Sequence, residues 1–147
     1  MTLTIPHLVG EAYRNSQAHG FWEGHPDWET PQYRAYLASK IALIHSEASE
    51  ALEEIRMPHP VTEERYSGGV EDVTGRGEQF DSMLPSASPV DDRGRPRKPE
   101  GLPSELADIV IRVADLCGHL GINLEEALEK KLAFNATRPR MHGGKLL

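Results

Sequence analysis

The sequence has a single cysteine, Cys117, in 147 residues, and no Cys/His spacing of the zinc type. An internal disulfide and a structural zinc site are both excluded, so packing must hold the fold together. Long apolar runs are missing as well: no stretch approaches the ~18 consecutive apolar residues a membrane helix needs. The opening Met1-Thr2-Leu3-Thr4-Ile5-Pro6 lacks the basic and apolar regions of a secretory signal, and a soluble, cytoplasmic protein is expected. Basic charge is in deficit, with 16 Lys and Arg against 23 Asp and Glu and a formal net charge of −7. That balance argues against nucleic acid as a partner, and an anionic ligand would need something other than net charge to attract it. Glycines 68, 69, 75 and 77 are not followed by Gly-Lys-Ser/Thr, so there is no phosphate loop.

What is present is helical periodicity. The length suits one domain, residues 1–147. A first helix is predicted from Ile5 to His19, with Pro6 in its opening turn and Gly20 as its stop. A second starts at Thr30-Pro31, a cap and first-position pair, and keeps an apolar spacing to Ile55 before Pro58 ends it, roughly 40 Å at ~1.5 Å per residue. A third spans Leu102 to Leu120, with Leu106, Ile109, Val110, Val113, Leu116, Cys117 and Leu120 as an apolar stripe and Gly121 closing it. Its length and 3.6-residue period outweigh the β-branched run Ile109-Val110-Ile111. A fourth opens with a capping box, Asn123 and Glu126, and extends to Thr137 before Pro139. The expected class is all-α, a bundle of four main helices, with no strand required.

Residues 57–101 break the pattern. Six of the eleven prolines and six of the thirteen glycines fall there, and the segment reads as an irregular insert, either a lid or disordered. Val70 to Val73 and Phe80 to Leu84 are its candidates for local pairing. Residues 139–147, with Gly143-Gly144, read as a flexible tail.

The chemistry-bearing residues are carboxylates. Glu47 and Glu50 share a face of the second helix, with Glu54 one turn on, and Glu105 and Asp108 repeat the three-residue spacing on the third. Two such pairs on facing helices would surround a cation, and oxygen donors alone suit Mg²⁺, with Mn²⁺ as a substitute. Spacing by itself discriminates little: the chain holds five acid-x-x-acid pairs, against about three or four expected by chance. Context separates Glu47 and Glu50 from the rest, because they sit among Ile44, Ala48, Ala51 and Leu52. Acids in apolar surroundings persist when a cation or a proton compensates them. On the third helix Glu105, Asp108, Arg112, Asp115 and His119 form a polar stripe, in which Arg112 is an alternative neutraliser. A di-iron site is excluded, since no Glu-x-x-His pair occurs.

Lys131, Asn135 and Arg138 share a helix face suited to polyphosphate oxygens, although cations near a helix C-terminus also complement its dipole. Trp22 and Trp28 are candidates for stacking on a base or for capping a core.

Taken together, Glu47-Ala-Ser-Glu50, Glu105-Leu-Ala-Asp108 and Lys-Lys-Leu-Ala-Phe-Asn135-Ala-Thr-Arg138-Pro resemble the MazG-like all-α nucleoside triphosphate pyrophosphohydrolases. The tail Asn135-Ala-Thr-Arg-Pro-Arg-Met-His-Gly-Gly-Lys145 strengthens the likeness, which covers roughly residues 30–57 and 102–145. It departs from the family pattern at Ser46, where many members carry a further glutamate, and in the wide separation of the two acidic motifs. The resemblance implies a homodimer or homotetramer and a Mg²⁺ site built from Glu47, Glu50, Glu105 and Asp108. Glu47 and Glu50 are then the first catalytic candidates, with Lys131, Asn135 and Arg138 on the substrate's phosphates. The implied reaction cleaves a nucleoside triphosphate between the α and β phosphates, a housekeeping task in the nucleotide pool. Two other readings stand beside it: a phosphoribosyl-ATP pyrophosphohydrolase-like enzyme, and a non-catalytic helical interaction module.

Overall fold

A computed structural model describes residues 2–67 and 88–139. Val70 to Val73, Phe80 to Leu84, and Arg140, His142, Gly143-Gly144 and Lys145 of the tail lie outside the described residues. Four helices carry the fold, α1 (Ile5–Ala18), α2 (Pro31–Arg56), α3 (Leu102–Leu120) and α4 (Leu124–Ala136), and the class is all-α. Among the described residues no helix is long and apolar enough to cross a membrane.

Local chemistry sets the helix ends. The Thr4 hydroxyl accepts the His7 N–H at 3.3 Å to open α1, and Thr30 does the same for Tyr33 at the start of α2. Asn123 accepts the Glu126 N–H at 3.2 Å ahead of α4. At the end of α3, Gly121 takes φ +65, and the N–H groups of Ile122 and Gly121 return to the carbonyls of Cys117 and Gly118. That pairing satisfies carbonyls the helix would otherwise leave open, in a left-handed conformation that suits glycine.

The structure adds two strands that the sequence reading did not require. Strands β1 (Arg65–Ser67) and β2 (Lys98–Glu100) pair antiparallel, with Arg65 opposite Glu100 and Ser67 opposite Lys98. Val90 and Pro96 form a further isolated bridge. Within the described parts of residues 57–101, pairing is confined to these strands and this bridge, and the rest is turns, bends and irregular chain. Three-residue strands are too short to show an alternating pattern, so their pairing leaves no periodic trace.

The chain forms two compact units, Met1–Tyr33 with Ile111–Leu147, and Arg34–Val110. In the first, α1 packs on α4, and Tyr13 lies so close to Gly118 of α3 that a Cβ there would come within 2.6 Å of the Tyr13 Cβ. Its centre is Trp22, Ala12, Ala114 and Cys117, all buried. Trp22 stacks on His119 with ring centroids 3.7 Å apart and donates its indole N–H to Asp115 at 2.8 Å. Ser16 donates to the other Asp115 oxygen at 2.8 Å, and the Tyr33 hydroxyl meets His119 Nε2 at 2.8 Å. Asp115 and His119 therefore serve a polar network inside this unit, and Trp22 is core, while Trp28 is exposed.

In the second unit, Ala51 and the side chains of Glu47 and Glu105 are buried. The sheet is tied to both helices: Arg65 donates to Glu54 of α2 at 2.8 Å, and Ser104 of α3 donates to the Pro99 carbonyl at 3.0 Å. Gly101 joins β2 to α3 at φ +108, where a Cβ would sit 2.5 Å from the Glu63 carbonyl oxygen. The α3 apolar stripe is less covered than its pattern predicts, since Leu106 and Val110 are each 50% exposed.

Candidate metal centre

Glu47, on the α2 face that also carries Ala51, and Glu105 with Asp108, one turn apart on α3, bring three carboxylates together. One oxygen from each lies within 4.8 Å of the others. Glu47 and Glu105 are only 6% and 4% exposed, and Asp108 is half-buried. Ligand oxygens around Mg²⁺ stand ~2.1 Å from the ion and hence ~3 to ~4.2 Å from one another, so small side-chain adjustments would close this set on one ion. With neither histidine nor thiolate in it, the donor set fits a hard cation.

The electrostatics agree with that fit. Burial first, and then the charge of Glu50, push the Glu105 carboxyl above its ordinary range; Lys98 pulls it back in part, and Asp108 and Glu47 add to the rise. Among the described residues its carboxylate enters no hydrogen bond or ion pair within the site. A buried carboxylate under repulsion gains from any cation that enters.

Glu50, expected to complete a set of four, is not among the three. It is exposed, accepts from the Ser46 hydroxyl at 3.4 Å, and lines an adjoining cleft of about 290 Å³ with Glu53, Glu54, Glu100 and Glu105. Its charge still reaches Glu105. Glu54 is not available as a substitute, because Arg65 and His59 hold it, and Glu53 pairs with Arg56. Glu100 also lines the cleft and Lys98 pairs with it, although sequence reasoning assigned neither a role. They come from the segment read as irregular, and only the strand pairing brings them here.

Lys131 and Asn135 lie on α4 and Arg138 just beyond it, all exposed and all in the first unit. The Lys131 ammonium sits 5.6 Å from the Phe134 ring centroid, and the Arg138 N–H returns to the Asn135 carbonyl at 3.1 Å.

Compared with known proteins, the chain matches no family model, no curated protein and no solved structure.

Proposed function

We propose that the protein is a Mg²⁺-dependent nucleoside triphosphate pyrophosphohydrolase of the MazG-like kind. The observation that carries this reading is the meeting of Glu47, Glu105 and Asp108 oxygens within 4.8 Å at a largely buried position. Sequence motif and geometry are independent here, since acid spacing along two helices does not by itself make them converge.

Glu47, Glu105 and Asp108 would hold the cation, and Glu50 would add negative charge from the cleft side. The ion, when bound, supplies charge neutralisation for the phosphates and acidifies a water. In the reaction, water oxygen bonds to the α phosphorus and the bond from that phosphorus to the α–β bridging oxygen breaks. A nucleoside monophosphate and pyrophosphate leave, with the water's proton passing to solvent. Lys131, Asn135 and Arg138 are assigned to phosphate oxygens by the family resemblance, and their exposure leaves them accessible. Guanidinium gives forked contacts and ammonium a point charge, both of which stabilise charge in phosphoryl transfer.

The test is to incubate the full chain with each NTP and dNTP, and with phosphoribosyl-ATP, in the presence of Mg²⁺ and to measure released pyrophosphate. Release from one nucleotide class, lost in Glu47→Gln, is the expected result. Release from phosphoribosyl-ATP alone would move the assignment to that enzyme class. No release from any of them, together with no stoichiometric Mg²⁺ binding, would leave a non-catalytic helical module.

A further inference from the structure

Strand β2 pairs a cation with a carboxylate that lines the cleft. The Lys98 ammonium lies 3.2 Å from one Glu100 oxygen and 3.3 Å from the other. Glu100 is itself oriented by the Ser67 hydroxyl, which donates to it at 2.6 Å across the strand pair. Glu100 lines the same cleft as Glu50 and Glu105. Burial alone would lower the Lys98 pKa, but the hydrogen bond and charge of Glu100, with the charges of Glu105 and Glu50, outweigh it and raise the value. Lys98 in turn pulls the Glu105 carboxyl down. The ammonium is therefore coupled to one residue of the acidic triad and to the two cleft carboxylates beside it.

We propose that Lys98 is a built-in competitor for the divalent cation, a counter-charge held at the cleft by Glu100 that offsets the acids before the metal enters and limits how tightly the metal binds. This rests on the metal-centre reading above and deepens it by naming a residue that sets the site's affinity. An ammonium and a dication attracted to the same carboxylates repel each other, so each weakens the hold of the other. The side chain is 61% exposed, which gives it room to swing away as the ion binds.

Calorimetric titration of the full chain with MgCl₂ tests this without reference to turnover. Lys98→Met should bind Mg²⁺ about five- to tenfold more tightly than wild type, the size expected for removing one positive charge from a partly screened site. Lys98→Arg should restore the wild-type affinity. Measured against Glu100→Gln rather than wild type, Lys98→Met should still tighten binding, because the gain comes from the lost positive charge and not from a released Glu100. Circular dichroism confirms that each variant keeps its helices. Equal or weaker binding by Lys98→Met than by wild type, or no gain of the double variant over Glu100→Gln, would overturn the proposal and leave the metal centre standing. No Mg²⁺ binding by wild type would overturn both.

Discussion

At the residue scale, burial rather than spacing separates Glu47 and Glu105 from the other described acids. Glu47 and Glu105 are buried and Glu50 is not, so the triad outranks the expected set of four. Glu47→Gln or Asp108→Asn should weaken Mg²⁺ binding by at least about tenfold, whereas Glu50→Gln, acting through charge alone, should cost about two- to fivefold. Titration calorimetry on the three variants checks the order. Glu105 also carries a pH signature. Because its folded pKa is raised, the folded state disfavours its ionised form, and stability is lost as pH rises from the ordinary carboxylate range through the raised value. In EDTA, Glu105→Gln should therefore raise the melting temperature by a few degrees at pH 7.5, and the gain should shrink as the pH falls toward 4, where the carboxyl is increasingly protonated in both states. A gain equal at the two pH values would point to packing instead. Cys117 is a simpler case: burial pushes its thiol up, so maleimide labelling should be slow until the protein is unfolded.

Among elements, the helices were legible in advance and the strands were not. Thr30-Pro31, Asn123 with Glu126, and Gly121 are capping signals that act within a few residues, so each end follows from local chemistry. The β1–β2 pair depends instead on partners more than thirty positions apart, Arg65 with Glu100 and Ser67 with Lys98, and on Arg65 reaching Glu54. No local signal encodes those meetings. Glycine is required at the contact between α1 and α3, where Gly118 faces Tyr13. Gly118→Ala would force the two helices apart, at a cost of about 1 to 3 kcal/mol, and should lower the melting temperature by ~3 to ~10 °C in a scanning experiment. An unchanged value would mean that Tyr13 moves aside freely.

On the scale of the whole molecule, little apolar surface is covered among the described residues. The buried hydrophobic residues among those described are Ala12, Trp22, Ala51, Ala114 and Cys117, and no large side chain is fully enclosed. Ile41, Leu52 and Ile55 on α2 stay 44 to 53% exposed, and on α4 Leu132 and Phe134 reach 65% and 58%. Apolar exposure on this scale is a reason to expect association, in keeping with the dimer or tetramer that the family resemblance implies. Light scattering should give a multiple of the 16.3 kDa chain mass, and a monomer at micromolar concentration would contradict it. The sequence alone determined the helices, their ends and the acidic motifs, because periodicity and capping operate over one or two turns. Only the tertiary structure decided that Glu47 joins Glu105 and Asp108 while Glu50 faces the cleft, and that Glu100 lines it with Lys98 paired to it. Which side chains meet depends on how α2, α3 and the strand pair pack, and residues distant in the chain carry no mark of that meeting.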